Sequence, residues 1–171
     1  MIDYATVNWE RLAHPSPLFR LLAEPTVPQL DAIVTRLNGD YLYAPDELRD
    51  ENTLLALVVG YWRHGANIIY EVGEFQGILG FLDIVAEHKA SVTLKLWGRE
   101  AWGRNFMREA RALLALVMDE FRLTRLATET PDPRVVTMAR MAGFAVEGVR
   151  PKDFKWDGKY FDTTVMGLVR E

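Results

Sequence analysis

An alternating strand that runs into a glycine-and-arginine turn and then into a strongly amphipathic helix constrains this chain more than any other feature. The turn is Trp102-Gly103-Arg104-Asn105-Phe106-Met107-Arg108-Glu109-Ala110, and the alternating run before it is Ser91 to Trp97. Phe106, Ala110, Leu113, Leu114, Val117 and Phe121 recur at helical spacing and form one apolar stripe. Arg104, Arg108 and Arg111 stand at i, i+4 and i+7 on the opposite side. The first N–H groups of such a helix have no partner inside it and point outward, so the turn is suited to an anion, a phosphate above all. An ordinary strand-to-helix connection with a solvated arginine face competes with that reading, and it is the preferred one for Arg99 and Arg111.

Composition narrows the classes without choosing one. A chain of 171 residues, 49% hydrophobic and 26% charged, suits a single domain over 1–171 with one core. Cysteine is absent, which removes disulfides, thiolate metal sites and a cysteine nucleophile. The longest apolar run, Ala112 to Met118, is far short of the ~20 residues a membrane span needs. Asp3, Asn8, Glu10 and Arg11 interrupt any secretory signal, so a cytoplasmic protein with no membrane partner is expected. Residues 1–66 carry nine acids against five bases and residues 67–171 carry fifteen of each, which speaks against a nucleic-acid partner. His14, His64 and His88 lack metal-ligand spacing, and no metal is expected.

Periodicity and breakers order the elements. Leu12 to Ala23 has helix-like apolar spacing interrupted by Pro15 and Pro17, Val27 to Leu37 reads as a helix, and a third helix is expected from about Pro45 to Trp62. Asn67 to Val72, Gln76 to Val85 and Ser91 to Trp97 read as an antiparallel meander. A helix from about Asn105 to Phe121, a strand Arg125 to Glu129, a helix Arg134 to Ala142 and closing strands with a hairpin at Asp157-Gly158 follow. This order calls for a mixed α/β sheet with helices on both faces: a helical part over 1–66 and a core over 67–171.

Two later stretches, Met141-Ala142-Gly143-Phe144-Ala145-Val146-Glu147-Gly148-Val149 and Trp156-Asp157-Gly158-Lys159-Tyr160-Phe161-Asp162, complete a pattern with the turn. In order and spacing the three resemble the acetyl-CoA-dependent N-acyltransferases of the GNAT superfamily, nearest to the branch of ribosomal-protein N-terminal acetyltransferases. The resemblance covers roughly Asn67 to Arg170. It implies a mostly antiparallel mixed sheet in which two neighbouring parallel strands, Ser91 to Trp97 and Arg125 to Glu129, splay apart to admit the cofactor's pantetheine arm. No equivalent of the family's first strand is evident, so the N-terminal part is expected to be rebuilt as a helical cover. The resemblance also implies acetyl-CoA as donor and a primary amine as acceptor, on a small molecule, an aminoacyl group or a protein N-terminus. Gly103, Arg104, Asn105, Phe106, Met107 and Arg108 would then hold the pyrophosphate, with Trp97 and Trp102 at the rim.

The departures lie where the cofactor would sit. Asn105 replaces the turn's first required glycine, and Met107 stands where relatives have Gly or Ala, in a position to fill the space over the backbone. Asp132 and Val135 replace the Asn and Ser of the following helix. Glu129 is the candidate base, Asp132 orients the amine or caps the helix entered at Pro133, and Tyr160 is the nearest candidate acid or a substrate wall. The alternative function is a non-catalytic GNAT-fold binding or structural protein, of the kind found in phage-associated proteins, that has lost cofactor binding. Phe154, Trp156, Tyr160 and Phe161 give the hairpin an aromatic surface that reads as a homodimer contact or a substrate wall.

Overall fold

The computed structural model describes residues 6–39, 42–98 and 103–170, so the expected roles of Arg99 and Trp102 lie outside the described residues. Among the described residues seven strands form one sheet, in the order β1-β2-β3-β4-β5-β7-β6. They are β1 (Phe19–Leu21), β2 (Ile68–Val72), β3 (Gly77–Val85), β4 (Lys89–Leu96), β5 (Arg125–Thr130), β6 (Ala145–Trp156) and β7 (Lys159–Val169). The helices are α1 (Trp9–Ala13), α2 (Val27–Gly39), α3 (Glu51–Arg63), α4 (Arg104–Glu120) and α5 (Pro133–Met141). Every residue of β2 is buried, as expected of a central strand covered on both faces.

The strand alternation sorts the core into two layers. Tyr70, Leu79 and Phe81 face one side and pack with Phe106, Leu113, Leu114 and Val117 of α4. Ile69 and Ile78 face the other and meet Ile33, Val34 and Leu37 of α2 and Leu54 and Val58 of α3. The hydrophobic stripe read from the sequence of α4 is the face that is buried.

All strand contacts are antiparallel except one. β4 and β5 run parallel, paired from Lys89↔Arg125 to Ser91↔Ala127 and no further. Beyond that point β4 stays with β3 as far as Leu96↔Gly77, while β5 stays with β7 as far as Thr130↔Thr164. The two strands therefore part at their C-terminal ends, as the sequence resemblance implies.

The N-terminal part departs from expectation in two ways. A first strand exists: β1 pairs antiparallel with β2, Phe19↔Val72 to Leu21↔Tyr70. The apolar spacing of Leu12 to Ala23 imitates a helix, but α1 ends at Ala13, before Pro15 and Pro17, and the Ser16 hydroxyl accepts from the N–H groups of Leu18 and Phe19 at 3.2 and 3.3 Å. The helix expected from Pro45 is also divided. A 3₁₀ turn spans Asp46–Leu48, and α3 starts afresh at Glu51 because Asp50 caps it, accepting from the Thr53 N–H at 2.9 Å.

The closing hairpin is fastened to that N-terminal segment. Its tip has Asp157 and Gly158 both at positive φ, 49° and 72°, as a two-residue hairpin turn requires. Their N–H groups donate to the Asp46 carboxylate at 2.8 and 3.0 Å, and the Arg49 guanidinium lies 5.7 Å from the Trp156 ring centroid. Phe154, Trp156 and Phe161 are half-buried within the chain, so of the four rings expected at the surface only Tyr160, 61% exposed, stands open.

Gly77 opens β3 against the end of β4, where an added Cβ would sit 2.5 Å from the Lys95 carbonyl oxygen and 2.6 Å from a Leu96 methyl. Gly77→Ala is expected to lower the unfolding free energy by about 1–3 kcal/mol. Chemical denaturation, with the midpoint read against an unchanged slope, measures it.

Candidate active site

The start of α4 is bare. Gly103, its N-cap, has no side chain to turn onto the first N–H groups, and the first bond back into the turn runs from the Met107 N–H to the Gly103 carbonyl at 3.3 Å. The N–H groups of Arg104, Asn105 and Phe106 precede that bond and lie at the positive end of the helix dipole. Gly103, Arg104 and Asn105 are exposed and Phe106 is buried as an anchor. Arg108 is tethered beside them, donating to Asn105 Oδ1 at 2.6 Å and to Glu109 Oε1 at 2.8 Å. That hydrogen bond from Arg108 holds the Glu109 carboxyl below its ordinary range.

Met107 does not occupy the space over these N–H groups. It turns inward and lines an apolar cleft between the parted strands and the two helices that cover them. Leu79, Val92 and Leu94 of the sheet, Phe106 and Ala110 of α4, and Val135 and Met138 of α5 form its walls, with Thr128 as the one polar side chain among the described lining residues. The cleft has about 50 Å³ of room. Val135, noted in the sequence as a lost polar contact, is likewise part of this apolar lining.

The cleft has a backbone edge. Thr128 Oγ1 donates to the Val92 carbonyl at 2.9 Å, which points that carbonyl towards β5. Strand periodicity turns the same edge of Leu94 and Leu96 into the widening gap. The Leu96 carbonyl accepts from the Tyr43 hydroxyl, so Leu94 carries the stretch of edge between these two closures.

On the opposite face of β4 lies a second cavity of about 160 Å³. Thr93 and Lys95 form its floor, with Tyr43, Pro45 and Leu48 from the loop after α2, and Leu54 and Tyr61 from α3, around it. The Lys95 ammonium donates to the Tyr43 carbonyl at 3.1 Å and sits 5.5 Å from the centroid of that ring. Burial lowers its pKa from 10.5 to about 8, against the opposing pull of Asp132. Sequence reasoning missed Lys95, because a lysine within an alternating strand reads as solvent-facing.

The residues expected to carry chemistry do not share one cavity. Glu129, at the end of β5, is mostly exposed and paired with Arg150 at 2.7 Å. Asp132 is buried and caps α5, accepting from the Arg134 N–H at 2.9 Å and from the Arg134 guanidinium at 2.5 to 3.1 Å. Tyr160 lines a groove against Pro133, Val136 and Arg140 of α5, away from Lys95. Trp97 packs on Phe75 and donates to its carbonyl at 2.7 Å, within the layer opposite the cleft. Among the described residues no three His, Asp or Glu side chains come together to hold a metal ion, and no helix is long and apolar enough to cross a membrane.

Comparison of the sequence with protein-family models gives no match, and comparison with curated proteins gives none. Comparison with solved structures does. A spermidine N-acetyltransferase from Vibrio cholerae, in complex with CoA and spermine, superposes with a TM-score of 0.69 at 18% identity over 90% of this chain and 96% of that one. A ribosomal L7/L12 alpha-N-protein acetyltransferase in complex with coenzyme A gives 0.69 at 19% identity over 92% and 97%. A dodecameric form of the Vibrio cholerae enzyme gives 0.61 at 19% identity. The chain has the fold of these acetyltransferases, with a mostly antiparallel sheet and, among the described residues, one splayed parallel pair.

Lys95 generates a signed pH prediction. Its folded pKa lies below the ordinary value, so between about 8 and 10.5 the unfolded chain binds more protons and stability due to this group rises with pH. Lys95→Met should remove that rise and stabilise the protein near pH 7 by about 1–2 kcal/mol, a figure discounted for the half-buried stem. Denaturant titrations of both proteins at pH 7 to 10.5 give the comparison.

Proposed function

We propose that the protein is an N-acyltransferase that transfers an acetyl group from acetyl-CoA to a primary amine by direct attack of the amine on the thioester. The observation that carries this reading is the parting of β4 from β5 directly against the start of α4, whose Phe106 and Met107 form part of the cleft wall. The residues suit the donor on three counts. Uncapped N–H groups at Arg104, Asn105 and Phe106 match a pyrophosphate, with Gly103 leaving them open and Arg104 and Arg108 adding charge. The free edge at Leu94 matches the amides of a pantetheine arm. The apolar walls exclude water around a thioester. When bound, the coenzyme supplies the activated acyl group.

The chain's own contribution is positional and electrostatic. The amine approaches from the cavity on the Lys95 face, so donor and acceptor meet across the gap rather than compete for one pocket. Glu129, exposed at the end of β5, takes the ammonium proton through solvent. Asp132, fixed by Arg134, caps α5 directly after β5. Backbone N–H groups bordering the gap are the candidate donors to the developing oxyanion. Self-association belongs to the same reading: β6 is an edge strand, and Val146, Val149 and Tyr160 are exposed on its hairpin.

One observation supports a second reading, a GNAT-fold protein that has lost its donor and serves in binding or structure. About 50 Å³ holds no more than a few water molecules, so Met107 and its neighbours must shift to admit a pantetheine arm.

Calorimetry with acetyl-CoA separates the two. The enzymatic reading predicts binding at micromolar to sub-millimolar levels and stabilisation of about 2.7 kcal/mol at a hundredfold excess over Kd. Gly103→Pro should weaken binding by pulling the N-cap φ from −107° towards about −65° and so displacing the N–H groups that follow it. Met107→Ala should preserve or tighten it while costing about 1–2 kcal/mol of stability. No heat and no thermal shift with millimolar acetyl-CoA, together with recovered binding in Met107→Ala combined with Asn105→Gly, would make the site a relic.

A further inference from the structure

The cavity on the Lys95 face has an unusual chemistry for a place that must receive an amine. Leu48, Leu54, Tyr43 and Tyr61 make its walls apolar and aromatic, and Lys95 is the one cationic or anionic side chain among the described lining residues. An ammonium has three donors, and a single hydrogen bond, to the Tyr43 carbonyl, engages Lys95. No carboxylate among the described residues lies within ion-pairing distance of it, and Asp132, the acid whose charge reaches it, is held by Arg134. The cavity therefore pairs an apolar body with one unfilled positive charge.

We propose that this cavity takes a primary amine that also carries a carboxylate beside an apolar or aromatic body, with Lys95 as the residue that selects the carboxylate. The acceptor's apolar part displaces water from the walls, and its carboxylate completes the unused donors of Lys95. A polycationic amine meets like charge at the floor and is rejected. The same ammonium favours the neutral, nucleophilic form of an acceptor amine held near it. The assignment rests on the acyltransferase reading for its use of the amine, but the binding preference exists without the donor.

The test is a matched pair, phenylalanine and phenethylamine, which share ring and amine and differ in the carboxylate. Titration of the full chain, followed by amide chemical shifts in the absence of any coenzyme, should show phenylalanine bound at least tenfold more tightly than phenethylamine, with shifts centred on Thr93, Lys95 and Tyr43, and spermidine weakest. Lys95→Met should erase the preference and Lys95→Arg should keep most of it, with circular dichroism confirming that both fold. Equal or tighter binding of phenethylamine or spermidine to the wild type, a preference that survives in Lys95→Met, or no binding of either probe would overturn the proposal. Acetyl-CoA titrated separately keeps the outcomes distinct: a carboxylate preference without donor binding overturns the acyltransferase reading and leaves this one standing.

Discussion

The hydrogen-bonding allegiance of two strands governs this molecule. β4 and β5 begin as a parallel pair, yet each has a longer partnership on its other side, β4 with β3 and β5 with β7. A sheet twists, so strands committed to different neighbours diverge once their mutual bonds stop. The divergence costs backbone hydrogen bonds, and the cost is concentrated where the edge of Leu94 faces the gap. An unpaired buried edge is unfavourable by itself, and it is also a template for a ligand that carries amides. The cleft, the bare start of α4 and the cavity on the other face of β4 are all arranged around that divergence.

The N-terminal part does more than cover the sheet. Its Tyr43 closes the end of the gap at the Leu96 carbonyl, its 3₁₀ turn presents Asp46 to the hairpin tip, and its Arg49 lies on Trp156. The Gly158 N–H is the main reason the Asp46 carboxyl stays below its ordinary range, so this fastening is made by the ionised form and weakens as the solution becomes acidic enough to protonate it. The region that differs most in sequence from the family pattern thus shapes the cavity on the Lys95 face, where members of one fold would be expected to diverge.

Much of the fold was legible in the residues. The meander, α4, β5 and α5 fall within one or two residues of where alternation, apolar stripe and caps place them, because each is long or sharply bounded. β1 was not legible: it has three residues and inherits its conformation from β2, while Pro15 and Pro17 look from sequence like a broken helix. The direction of Met107 was readable in principle, since Met107, Ala110 and Leu114 stand at i, i+3 and i+7 and so share the buried stripe. Its alignment with the family's small residue suggested obstruction of the phosphate, whereas its helix position puts it in the cleft. Lys95 was beyond reach, since its surroundings come from Tyr43 and the loop after α2, about fifty positions earlier, and no local pattern encodes that approach.

The central claim is that the parted strands and the start of α4 together form one donor site. Amide hydrogen exchange with and without saturating acetyl-CoA tests it at single-residue resolution. The account predicts slower exchange at Arg104, Asn105 and Phe106 and at Leu94, with the amides of Lys89 to Ser91 unchanged. Exchange at the α4 start and at Leu94 that is the same with and without acetyl-CoA would contradict it.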